Sequence, residues 1–414
     1  MNACYLTMLL GVWTYVTTSP GQDDRYGFYF THHRTKVQIP FVFRANLIIV
    51  PVRLNSRTTV NFMVDTGVSY TIITDATVVP RTTDQLSRTI QLTGVGQGDT
   101  QLASIVTGNT LQLGALRVDH HPLVVLHDDV LHLSEYAGMP IHGIIGYELF
   151  ANLVVTLDFQ QQLMTLMLPE HYHYRPRKGE RYPIAIQDRK AYTNALSISV
   201  AGDTLPLRLV LDTGAGQALL LDRFAGSSLP IPNPIIPVPL GRGLSGLMHG
   251  QLGRLPAVQF GRFSLRNVLV CYPDSTEFRR KLAHMPSRQG NIGCELLRRF
   301  RVTFHYSEGY MVLKPVRYLM RVPFEHDMSG IEFRADSSQP GRYVIGYLVA
   351  DSPAEQAKLQ VGDELQVINN IPASQLSLGA INELLQSGAG RPISVIVRRQ
   401  GQLIPYRFTL KRLI

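Results

Sequence analysis

A chain of 414 residues, with 45% apolar and 17% charged residues, has the balance of a globular protein with two or three cores, which excludes wholesale disorder. Its formal net charge of +9 comes from basic residues in scattered short clusters such as Arg175 to Arg181, without zinc-finger spacing or an aromatic-basic platform, so no nucleic-acid partner is expected. Three cysteines without CxxC or Cys/His spacing point to no metal site, and Cys271 and Cys294 read either as free buried thiols or as one disulfide.

The first element in chain order is an apolar run from about Tyr5 to Val16. It is short for a bilayer span and suits the apolar core of a secretory signal over residues 1–21, although no Lys or Arg precedes it. Export to a periplasm or to the outside is therefore expected, with an N-terminal membrane anchor as the alternative. The stretch "YGFYFTHHRTK" that follows reads either as a first strand or as a pro-segment. Short runs of Val, Ile, Leu and Phe broken by Gly, Asn, Asp and Pro then predict strands, among them "ANLIIVPVRL", "NFMVDTG" and "NLVVTLDF". After the polar, Pro-bounded connector "LPEHYHYRPRKGERYP" come "NALSISV", "LRLVLDTG" and "FRVTFHY". Only "GYELF" and "GCELLRRF" predict short helices in this region. The "HYHY" of the connector has no third ligand nearby in sequence, so no metal is expected there.

These elements repeat. Asp65 and Asp212 each end an apolar strand in Asp-Thr-Gly, 147 positions apart. The same offset carries Gly94 and Gly96 onto Gly241 and Gly243, Gly114 onto Gly261, and Gly146 onto Gly293. A single offset held from the Asp to the last Gly predicts a duplicated, mainly β domain, with copies over 36–169 and 183–316 joined by a linker over 170–182. An Asp closing a buried strand is costly unless something satisfies it, and a lone Asp-Thr-Gly reads as a turn. Two of them at equivalent places in duplicated lobes are expected to face each other about a pseudo-two-fold axis. Two adjacent carboxylates share a proton, which gives one site a general base and a general acid together.

"DTGVS" with "GIIGYELF" and "DTGAG" with "GNIGCELL" resemble the paired signatures of retropepsin-like aspartic proteases, here with two lobes on one chain. The resemblance implies Asp65 and Asp212 as a catalytic dyad. It implies that Thr66 and Thr213 cross-link the two loops and that Gly67 and Gly214 permit close approach. Flaps would lie at Gly94 and Gly96 and at Gly241 and Gly243. The chain departs from the pattern in two respects. Ser69, Gly216, Tyr147 and Cys294 stand where the retroviral acid and its Arg partner are expected, so the lobes must be joined differently. Asn291 stands where an apolar residue is expected.

The last unit, 328–414, contains "SPAEQAKLQVGDELQVIN", with Ser352 as a helix cap and Pro353 in the first turn, then a helical "LSLGAINELLQSG" and two strands. It resembles a PDZ domain, a small α+β fold. The resemblance implies a groove for a peptide C-terminus, with Ser329, Gly330 and Ile331 of "MSGIEF" as its carboxylate-binding loop. The expected function is an aspartic endopeptidase without cofactor or metal, acting on a peptide or protein, with the PDZ module binding substrate or partner. The alternative is a catalytically inactive peptide-binding or scaffold protein of the same fold.

Overall fold

The computed structural model describes residues 27–79, 87–92, 94, 100–199, 202–222, 232–274, 288–336, 339 and 341–414. The leader over 1–21 and the flap residue Gly96 lie outside them.

The first lobe is built on hairpins whose turns use the left-handed backbone region. Val42–Arg44 and Leu47–Leu54 pair through Ala45 and Asn46, with φ of 50° and 59°. That turn matches the natural twist of paired strands. Leu47–Leu54 then pairs with Thr58–Val64, the strand that ends at Asp65. Gly143–Ile145 runs parallel to Thr58–Val64 and antiparallel to Ile72–Ile73, so it threads between the two arms of the Asp65 loop. The second lobe repeats this with Gly290–Ile292 between Thr204–Leu211 and Leu219–Leu221. A side chain on Gly146 would sit 2.2 Å from Val68 O, and one on Gly293 2.1 Å from Gln217 O, so only glycine lets the crossing close. In the early segment, Tyr29–Phe30 forms a short strand that pairs with Leu116–Leu126.

A six-stranded sheet joins the lobes. The first lobe supplies Lys36–Pro40, Leu163–Met167 and Val154–Asp158, and the second supplies Phe300–His305 and Tyr310–Pro315. Glu180–Pro183, which begins inside the expected linker, adds the last strand. Thr156 and Thr303 pair in register at the centre, with their hydroxyls 2.8 Å apart. Val155, Leu157, Val302 and Phe304 point to the other face and are fully buried. There Phe150 meets Phe304 edge-on at 5.5 Å and stacks on Tyr306 at 5.4 Å, so one apolar core runs through both lobes. Truncating Phe150 would cost about 3–5 kcal/mol.

The C-terminal unit has its own core, including Ile331, Ile345, Ile381 and Val397. Its sheet ends in the edge strand Ile331–Ala335. Ser352 accepts from Glu355 N to cap the helix Pro353–Gln356, and Ser377 accepts from Ala380 N to cap Leu378–Leu385. Gly138 of the first lobe abuts the outer end of the groove between Ile331–Ala335 and Leu378–Leu385. A Cβ there would lie 3.5 Å from Leu378 and 3.9 Å from Ala335.

Candidate active site

Asp65 and Asp212 meet between the lobes, and both are fully buried. Each carboxylate is anchored by its own loop: Gly67 N donates to Asp65 Oδ1 at 2.6 Å, and Gly214 N donates to Asp212 Oδ1 at 3.1 Å. The opposite loop presses close. A Cβ on Gly214 would stand 2.2 Å from Asp65 Oδ2, and one on Gly67 3.0 Å from Asp212 Oδ1. Neither position admits a side chain without displacing a carboxylate.

Thr66 and Thr213 lock this approach through four reciprocal bonds. Thr66 N donates to Thr213 Oγ1 and Thr213 N to Thr66 Oγ1, each at 3.0 Å. Thr66 Oγ1 donates to Leu211 O at 2.7 Å, and Thr213 Oγ1 to Val64 O at 2.9 Å. Each hydroxyl both gives and accepts across the interface. Removing one would orphan two buried backbone groups, at about 1–3 kcal/mol each.

Burial, followed by the charge of Asp212, raises the Asp65 carboxyl well above the usual carboxylate range. Burial also raises Asp212, to about 6, but less, because Asn291 and Arg288 favour its charged form. Asn291 Nδ2 donates to Asp212 Oδ2 at 2.6 Å. Among the described residues Asp65 Oδ2, a buried oxygen beside Asp212, has no hydrogen-bond partner. A shared proton carried on Asp65 satisfies that oxygen and leaves Asp212 as the anion. The site can therefore hold one negative charge and one acidic proton.

Two buried cations lie close by, and neither stood out in the sequence. Lys190 is 2% exposed, and burial, then Arg288, lowers its ammonium to about 8 while both acids pull it upward. Arg288 is buried, and its guanidinium nitrogens have no hydrogen-bond partner among the described residues. Each flanks an apolar strand, where a basic residue looks like an ordinary strand end.

The missing retroviral ion pair is replaced by other contacts. Asn46, presented by its left-handed turn, donates to Gly216 O at 2.9 Å and to Glu295 Oε2 at 3.1 Å in the other lobe. Ser69 Oγ donates to Asp188 O at 3.3 Å, and the Arg189 guanidinium lies 4.7 Å over the Tyr70 ring. Cys294 is a free, buried thiol donating to Thr213 O at 3.3 Å, so it is not bridged to Cys271. Burial and the nearby acids raise its pKa, which makes it unreactive.

The flap candidates fall on hairpins. Gly241 and Gly243 end the strand Ile236–Gly243, and Gly246–Phe260 returns from it. On the first lobe, Ser87–Leu92 and Gln101–Leu113 pair below Gly94. The two flap regions touch: Gly94 N donates to Ser245 Oγ at 3.3 Å, and Leu244 is buried with Leu92 and Val68.

In the C-terminal unit, Ser329, Gly330 and Ile331 form an amide nest, and it is filled from within. Their N–H groups donate to Asp327 Oδ1 at 2.9, 2.6 and 3.1 Å. The sequence signal for this was an acid two residues before the expected loop.

Two lobes with paired Asp-Thr-Gly loops on one chain, followed by a PDZ-like sheet, have the architecture of an aspartic protease fold with an appended PDZ domain. In comparisons with known proteins, residues 50–149 match the aspartyl protease family model and residues 344–399 match the PDZ domain model. Among solved structures, the crystal structure of basic 7S globulin from soybean aligns at 10% identity and a TM-score of 0.41, covering 68% of this chain and 95% of that one. No curated protein matches the chain significantly.

Proposed function

We propose that the protein is an aspartic endopeptidase that hydrolyses peptide bonds with a water held between Asp65 and Asp212. Asp212, kept anionic by Asn291, takes a proton from the water, whose oxygen attacks the scissile carbonyl carbon. Asp65 gives its proton to the carbonyl oxygen, forming a neutral gem-diol. Asp212 then passes its proton to the departing amine as the C–N bond breaks, and the gem-diol returns a proton to Asp65 as the carbonyl re-forms. Both carboxyls end in their starting states.

One observation carries the reading: two buried carboxylates from symmetry-related loops, with one oxygen satisfied by a side-chain amide and its neighbour left for a proton. Gly94 of one flap bonds Ser245 of the other, and in this reading substrate entry requires the two flaps to part. The PDZ module supports peptide or protein binding in the groove between Ile331–Ala335 and Leu378–Leu385. The test is digestion of a peptide library by the wild type and by Asp65→Asn from about pH 3 to about pH 8. Cleavage by the wild type alone supports the reading. Equal cleavage by both proteins, or none by either, overturns it.

A further inference from the structure

The outer face of the interlobe sheet, opposite the core that carries the two acids, holds a pocket of about 450 Å³. Its floor is uncharged: Thr156, Thr165 and Thr303 lie side by side on three neighbouring strands, with Val154 and Met167 beside them. Its rim is basic. Lys36, Arg301 and Lys314 rise from the sheet, and Arg175, Arg177 and Lys178 come from the connector between the lobes, which walls the pocket. Among the described residues no Asp or Glu lines it. Asp158 Oδ2 approaches Arg301 Nε at 3.7 Å. The Lys178 ammonium bonds the His173 carbonyl at 3.0 Å and lies 4.5 Å over the Tyr172 ring.

We propose that this pocket binds a compact polyanion bearing clustered phosphates. Six cations gathered around one cavity repel one another, and partial burial together with Arg175, Arg301 and Lys36 already holds the Lys178 ammonium below its usual range. A ligand with several negative charges removes that repulsion. The three arginines supply planar forks suited to phosphate oxygens, and the threonine hydroxyls supply neutral donors beneath them. The cavity has the size of a small-molecule site, and its cations ring a depression instead of forming a stripe, which favours a compact group over an extended nucleic-acid backbone. The ligand class is a soluble polyphosphate or a phosphorylated lipid headgroup. The site shares no residue with the acid pair and is independent of the proposed proteolysis.

The test is titration of the full chain, at near-physiological ionic strength, with inositol hexakisphosphate, with vesicles carrying a bisphosphorylated inositol lipid, and with a single-stranded oligonucleotide. Saturable binding of the hexakisphosphate, weakened at least about tenfold by Arg177→Glu with Lys314→Glu but less than about twofold by Arg407→Glu on the PDZ unit, supports the proposal. Both pocket substitutions are at exposed positions, and an unchanged melting curve shows that the fold is kept. Vesicle binding with the same sensitivity identifies a headgroup, and its absence with hexakisphosphate retained identifies a soluble ligand. Equal loss in Arg407→Glu, or no binding of either phosphate probe, overturns it. So does oligonucleotide binding at least as tight that is indifferent to the pocket variants.

Discussion

Asn291 donates to Asp212, whereas Ile144, its counterpart 147 positions earlier, offers Asp65 only a hydrocarbon side chain. The duplicated halves are therefore chemically unequal where they meet. The amide stabilises charge on Asp212 and leaves the shared proton to Asp65. Asn291→Ile, which restores symmetry, removes a hydrogen bond to a charged group, with a cost of about 1.5–3 kcal/mol. Ionisation of the pair then becomes harder, so the acid limb of kcat/KM moves to higher pH by about one to two units. A rate loss at every pH with an unmoved limb would mean that Asn291 only packs.

Asp212→Asn separates the dyad's function from its stability cost. In the folded chain, burial raises Asp212 to about 6, so the stability tied to its protonated form is present at low pH and lost as pH rises through that value. Asparagine carries no charge to bury. The variant should lose peptide cleavage and gain about 1–3 kcal/mol over the wild type near pH 7.5, with the gain shrinking toward pH 4. Melting curves at both pH values read this, and a gain that grew on acidification would refute the assignment.

Gly94 is tight against the opposing flap. A methyl there would lie 2.7 Å from Leu244 Cβ, below any ordinary contact. Gly94→Ala should hold the tips apart and raise KM several-fold (roughly 2–10-fold) with a smaller change in kcat. Leu244→Gly in the same chain, which removes that Cβ, should restore most of the loss. Additive effects in the double variant would show that the tips do not touch in solution.

Asp327 occupies the amide nest in which a peptide C-terminus would sit. In the wild type, a ligand carboxylate must compete with one tethered four residues or fewer away. Asp327→Ala vacates the nest, so a labelled short peptide with a free C-terminus should bind at least about tenfold more tightly, measured by fluorescence polarisation. Equal, weak binding by both proteins would mean that the groove takes only internal strand segments.

Local pattern determined much of this protein without tertiary information. The fixed offset between the two Asp-Thr-Gly strands, the short helices at Tyr147–Phe150 and Cys294–Leu297, and the capped PDZ helices rest on periodicity, turn chemistry and capping, which operate over a few residues. The approach of Thr66 and Thr213 follows from the symmetry that the duplication implies. Other features depended on how the sheets close. Asn291 looked like an irregular core residue until its strand threaded beneath Asp212. Asn46 and Glu295, 249 positions apart, became the interlobe contact only because a left-handed turn aims one at the other. The basic pocket gathers residues from Lys36 to Lys314 that share no local pattern. Charge and hydrogen bonding act over a few ångströms of space, and only the folded sheet sets which distant residues fall within that range.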